Sequence, residues 1–180
     1  DIGVLYKTTD PLLGNPLSLG ANLANLGTEM AYIDRAQADP IPTNLKFGMA
    51  WRLWNDGYFD EGSGEFYTLN SLTLAFDMNK LLVRKFPNGE TDPFYIALFT
   101  AWTDEPFFYD LIYDVGLEYW YTDMVALRIG YWNDEIGKVK PFTYGASFKV
   151  SAYRFDFSYI SEEKGHPLAG TTHLSLTVDF

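Results

Sequence analysis

The 180-residue chain suits one domain, and its net charge of −11 excludes the basic surface that nucleic-acid binding requires. Without a single cysteine, it can form neither disulfides nor thiolate metal sites. Apolar runs never reach the roughly eighteen residues of a membrane helix, yet an aromatic content of 18% suits strands and the interfacial girdles of barrels.

Mean hydropathy is near zero at −0.12, as alternating strands would give by averaging their two faces. The chain opens on Asp1 without Met or signal peptide, which says nothing of destination because an exported protein loses its signal.

Periodicity is close to two almost throughout. Ile2, Val4 and Tyr6 make a short opening strand. Leu17, Leu19, Ala21 and Leu23 then oppose Ser18, Gly20 and Asn22. Leu45, Phe47, Met49, Trp51 and Leu53 oppose Lys46, Gly48, Ala50, Arg52 and Trp54. Leu72, Leu74, Phe76 and Met78 oppose Thr73, Ala75 and Asp77. Val115, Leu117, Tyr119 and Tyr121 oppose Asp114, Gly116, Glu118 and Trp120. Val125, Leu127, Ile129 and Tyr131 oppose Ala126, Arg128, Gly130 and Trp132. Phe142, Tyr144, Ala146, Phe148 and Val150 oppose Thr143, Gly145, Ser147 and Lys149. Tyr153, Phe155, Phe157 and Tyr159 form a four-aromatic stripe against Arg154, Asp156 and Ser158. The last eleven residues put Leu174, Leu176, Val178 and Phe180 on one face, with His173, Ser175, Thr177 and Asp179 on the other. About nine strands result.

An aromatic stripe left in water is an aggregation hazard, so it must meet a protein core or lipid. The polar faces balance Lys46, Arg52, Arg128, Lys149 and Arg154 against Asp77, Asp114, Glu118, Asp156 and Asp179. Such a set suits a confined, hydrogen-bonded barrel lumen; a soluble sandwich also has polar outer faces. Connection lengths separate the two. Short links at 121–124 and 150–153 and medium ones at 8–16 and 55–65 alternate with long ones at 27–43, 79–110, 133–141 and 161–170. Outer-membrane barrels sort short periplasmic turns from long extracellular loops, and sandwiches have no reason to. The expected fold is therefore all-β, a transmembrane antiparallel up-and-down β-barrel over 1–180. Its odd strand count suggests that further N-terminal strands belong to it, because bacterial barrels are even-numbered. On that reading Phe180 ends the closing strand, and a charge at Leu176 blocks insertion.

Four stretches, in order, resemble one family. They are Gly116-Leu117-Glu118-Tyr119-Trp120-Tyr121 with Ala126-Leu127-Arg128-Ile129-Gly130-Tyr131; Asp156-Phe157-Ser158-Tyr159-Ile160 with His166-Pro167-Leu168-Ala169-Gly170-Thr171; Asp77-Met78-Asn79-Lys80-Leu81-Leu82-Val83; and Ala38-Asp39-Pro40-Ile41-Pro42-Thr43-Asn44-Leu45-Lys46-Phe47-Gly48. They are similar to the PorV/PorQ-type outer-membrane proteins of the type IX secretion system, which have a FadL-like architecture. Near Thr172-His173-Leu174 the chain departs from the family, which often carries a bulkier or basic residue there. The resemblance implies the C-terminal part of a larger barrel of about fourteen strands, an even number. It also implies a non-enzymatic role: binding the large translocon barrel and secreted cargo, then passing cargo to the cell-surface attachment machinery. The cell outer membrane and its lipid would be the setting, with no cofactor.

Chemistry has few candidates. His166 and His173 lack partners at metal-ligand spacing, and Ser175 lies too close to His173 on one face for a triad. Gly116, Gly130 and Gly145 read as room for bulky neighbours such as Trp54, Trp120 or Trp132. The 79–110 link, rich in aromatics, is expected either to cap or plug the barrel or to dock a partner. The docking candidates are Pro40, Pro42, Trp102, Phe107, Phe108 and His166. The alternative function is a FadL-like channel for hydrophobic small molecules, and a soluble carbohydrate-binding sandwich comes third.

Overall fold

The computed structural model describes residues 1–8, 16–27, 41–103, 110–161 and 169–179. Nine strands run in chain order: β1 (Ile2–Lys7), β2 (Leu17–Ala24), β3 (Asn44–Asp60), β4 (Glu65–Leu81), β5 (Leu111–Tyr121), β6 (Val125–Asn133), β7 (Phe142–Val150), β8 (Tyr153–Ser161) and β9 (Thr172–Val178). One short helix, α1 (Phe94–Thr100), lies between β4 and β5. The strands form a single antiparallel up-and-down sheet in which each pairs only with its neighbours in sequence. The sheet is open, with β1 and β9 as its two edges.

Up-and-down order puts alternate connections on opposite edges. One edge carries 25–43, 82–110, 134–141 and 162–171; the other carries 8–16, 61–64, 122–124 and 151–152. The longest links, 25–43, 82–110 and 162–171, therefore share one edge as expected, but 134–141 with eight residues is shorter than 8–16 with nine, so the segregation by length is incomplete. The tight links use left-handed backbone at Thr122, Asp123 and Ser151, which reverses the chain within two or three residues.

The expected medium link at 55–65 is instead strand. β3 and β4 each run for 17 residues and meet in a four-residue turn, 61–64. Asp60 builds that turn by accepting hydrogen bonds from Gly62 N–H at 3.2 Å and Ser63 Oγ at 2.8 Å. Two register shifts hid the hairpin from a strict two-residue template. The first lies between Arg52 and Trp54, so that Trp54 pairs with Leu72; the second lies between Asp56 and Gly57. A bulge moves every later side chain to the other face. Trp54 therefore belongs to the apolar face and not, as its parity suggested, to the polar one. Gly57 is needed at the second shift, where a Cβ would meet ring atoms of Phe66 at 2.8 and 2.9 Å.

Burial inverts the usual order. On β5 to β8 every polar-face residue from Ile112 to Ile160 is at least half-buried, and Ala126 and Ser147 are fully so. On the opposite face Val115, Leu117, Leu127, Ile129, Tyr144, Phe148, Phe155 and Phe157 are exposed. Lower exposure on one side of a single-layer sheet identifies its concave side, where side chains converge. Over β5 to β8 the sheet thus covers its polar residues and turns its apolar residues outward; on β2, β3, β4 and β9 the contrast is lost, with Asn22, Arg52, Ala75, His173 and Ser175 of the polar face exposed. Among the described residues the buried apolar side chains are Leu82, Ala97, Leu111, Ala126, Val139 and Pro141, which form no layer across the sheet.

Candidate interaction surfaces

Register aligns the polar-face residues in rows. One row crosses six strand pairs, joining Arg52, Thr73, Glu118, Arg128, Gly145, Ser158 and His173. The next holds Ser71, Trp120, Ala126, Ser147, Asp156 and Ser175. Between the rows runs a connected hydrogen-bond network. Arg128 Nε donates to Glu118 Oε2 at 2.6 Å, its Nη1 donates to Ser147 Oγ, and Ser147 Oγ donates to Asp156 Oδ1. Asp156 also accepts from Arg154 Nε at 3.0 Å and Ser175 Oγ at 3.4 Å. The Arg128 guanidinium stands 5.5 Å from the Trp120 ring centroid. Five strands are thereby cross-linked through their polar face.

The charges balanced in sequence are paired in space. Lys46 meets Asp77 at 3.1 Å and Lys149 meets Asp179 at 4.0 Å; only Arg52 and Asp114 of the ten stand outside such ion pairs among the described residues. Two of the three glycines make room, though not for the tryptophans expected, while a Cβ on Gly116 would meet only Ile129 O at an ordinary 3.6 Å. A Cβ on Gly145 would press on Arg128 Cβ at 3.3 Å, and one on Gly130 would collide with Thr143 Oγ1 at 2.6 Å.

The outward face forms an unbroken apolar band. Leu74, Leu117, Ile129, Tyr144 and Tyr159 line up across five strands. Leu174, Leu176 and Val178 extend the band opposite Phe157, Phe155 and Tyr153. All three are exposed, Leu174 by 78%. Phe180, the fourth residue of that stripe, lies outside the described residues, while His173 faces Ser158 on the polar side.

The long-link edge is structured by a buried cation. Lys80, 3% exposed and next to last in β4, bonds to Asp110, with the Trp102 ring centroid 5.1 Å from its Nζ. Trp102 Nε1 donates to Leu98 O at 2.8 Å. The half-buried Trp102 therefore clamps the link that it belongs to. Asp92 anchors α1 by accepting from Thr100 Oγ1 at 2.6 Å, with Arg84 Nη1 3.8 Å away. Phe94 and Ala97 face Gly27, Ile41, Thr43 and Leu82 across a small recess, so α1 packs on the connections at the edge. The link does contain a short helix, α1, packed on the neighbouring connections. Opposite its packed side α1 presents Tyr95, Ile96 and Phe99, the last 77% exposed. The one-turn spacing of Tyr95 and Phe99 puts both on one helical face.

Pro42 is exposed, and its carbonyl accepts from Asn25 Nδ2 at 3.2 Å, tying the ends of β2 and β3 together. Pro40, Phe107, Phe108 and His166 lie outside the described residues. The aromatic face of α1 was missed as a set because seven residues are too few for a helical period to stand out. No helix of the described residues is long and apolar enough to cross a membrane, which says nothing of a β-barrel. Neither a protein-family model nor a curated protein matches the chain.

Proposed function

We propose that this chain is wall and recognition rim of an outer-membrane β-barrel, acting by protein docking and not by catalysis. The observation that carries the reading is the inverted burial on β5 to β8: apolar side chains exposed on one face, and a half-buried polar face wired through Arg128, Ser147 and Asp156 on the other. Water opposes that arrangement and a bilayer favours it. Strands β5 to β8, of 9 to 11 residues, have the length that spans a bilayer when tilted. In lipid the unpaired edges of β1 and β9 must be covered, by each other or by further strands, since lipid-exposed sheet edges are not tolerated.

Within such a barrel the long-link edge is the docking rim, with α1 presenting Tyr95, Ile96 and Phe99 beside the exposed Pro42. Rigid aromatics held on a short helix suit protein recognition. The resemblance to secretion-system barrels supplies the role: engaging the large translocon barrel or secreted cargo and passing cargo to the attachment machinery. The charged polar face supports this reading over a conduit for apolar ligands, which calls for an apolar sleeve. Replacing Tyr95 and Phe99 with Ser should leave the barrel assembled and reduce co-purification of the translocon barrel at least tenfold. Undiminished co-purification would refute the rim. Trp102→Ala is a poor substitute, because it also removes the clamp on Lys80.

A further inference from the structure

The hairpin of β3 and β4 outruns the sheet at the short-link edge, opposite the rim just described. Among the described residues β2 stops pairing at Trp51 and β5 at Asn70, with Thr122 N–H still donating to Leu69 O at 2.7 Å; 53–56 keep β4 alone beside them, and 57–60 with 65–68 form a two-stranded ribbon. At about 3.3 Å per residue the ribbon extends about 16 Å past β5 and about 26 Å past β2. Tilt of about 40° shortens this to roughly 12–20 Å along the membrane normal, beyond the headgroup layer of about 6–8 Å. Tyr67 and Phe66, three and four residues past Asn70, stand roughly 8–10 Å along the normal, so a lipid-facing girdle accounts at most for the Tyr58–Tyr67 pair and not for Phe59 and Phe66 on the other face.

The ribbon is apolar on both sides. Tyr58 and Tyr67 stack at 5.4 Å on one face, and the next pair, Phe59 with Phe66, falls on the other; all four rings are exposed. An isolated hairpin is marginal in water, and the tip of this one sets Asp60 directly opposite Glu65. From Leu53 to Leu69 there are four acids, Asp56, Asp60, Glu61 and Glu65, and no base.

We infer that the β3–β4 hairpin is a second docking element, for a protein of the compartment on the short-link side that presents an apolar surface rimmed by Lys and Arg. Burying both aromatic pairs removes exposed apolar area, and basic side chains relieve the acid pair at the tip. This inference rests on the membrane-wall reading only for the compartment, and not on the rim or the secretion role.

A photo-crosslinking residue in place of Phe59 or Phe66, in the intact protein in its own cells, identifies what covers the hairpin. The expected product is an adduct with a protein of that compartment. The same protein, once purified, should bind the wild-type chain in detergent micelles with an affinity that falls as salt rises from about 50 to 500 mM. The reversal Glu61→Lys with Glu65→Lys should lower both adduct yield and affinity at least tenfold, while heat-dependent gel mobility reports intact assembly. Should that variant fail to assemble, Glu61→Gln in the exposed turn and the salt series on the wild type carry the test. Adducts only with lipid or a second copy, no adduct, or an affinity indifferent to salt and charge would overturn the inference. Loss of the rim's co-purification leaves this result untouched.

Discussion

An arginine walked along β6 distinguishes a lipid-facing wall from a water-facing sheet. Ile129 is the middle residue of this nine-residue strand, exposed on the apolar face between Leu117 and Tyr144. Leu127 and Val125 follow on the same face toward the short-link edge. In a transmembrane barrel, Arg costs about 2–4 kcal/mol at the bilayer midplane and about 0–1 near the interface. Four residues at about 3.3 Å each, tilted about 40°, bring Val125 about 10 Å closer to the interface than Ile129. That is most of the half-height of an apolar band about 25 Å tall. Ile129→Arg should therefore shift the folding equilibrium in lipid vesicles by about 30- to 700-fold, since about 1.4 kcal/mol is tenfold in an equilibrium constant. Leu127→Arg should fall between, and Val125→Arg should stay within about fivefold. Urea titration of the vesicle-refolded protein measures all three. On a water-facing sheet each substitution would lie within about 0.5 kcal/mol of neutral. A flat series, or one in which Val125→Arg costs most, would refute the reasoning.

Two further outcomes test the edges. Lys80→Ala leaves Asp110 with an uncompensated charge and should cost about 3–5 kcal/mol, whereas Lys80→Met with Asp110→Leu should recover most of it; urea melting of the three proteins decides, and equal losses would contradict the buried pair. At the hairpin turn the Ser63 hydroxyl and Gly62 N–H donated to Asp60 hold its carboxyl below the usual carboxylate range. A folded-state value that is depressed stabilises the turn above the unfolded value of about 3.9 and loses that stabilisation as pH falls through the folded one. Carboxyl-carbon NMR should give Asp60 a midpoint below about 3.9, and Asp60→Asn should abolish the turn's acid sensitivity.

Much of the sheet is legible in sequence because each strand of β5 to β9 keeps strict alternation, and one buried or covered face fixes register. Phe142 to Val150 is read to the residue. What fails is traceable to bulges. The shift at Leu53 reverses parity, so Trp54 is assigned to the wrong face; the shift near Leu69 breaks the pattern of 65–71, so a long hairpin reads as a link. No local pattern marks such an insertion, since it is defined by the partner strand. The network around Arg128 was legible as a charge balance, whereas its wiring through Ser147 depends on register between three strands. The long link has a different difficulty. Lys80, Asp110 and Trp102 come from separate parts of the link, and nothing in their spacing predicts that they meet.

The central claim is that the apolar face meets lipid, and β8 tests it most directly. The chain has no cysteine, so single-cysteine spin labels can be placed at will. In the membrane-reconstituted protein, labels at Phe155 and Phe157 should be accessible to oxygen and shielded from a water-soluble nickel chelate, while labels at Asp156 and Ser158 should show the reverse. A chelate reaching 155 and 157 as readily as its neighbours, or a protein that stays dispersed in buffer without detergent, would contradict the account.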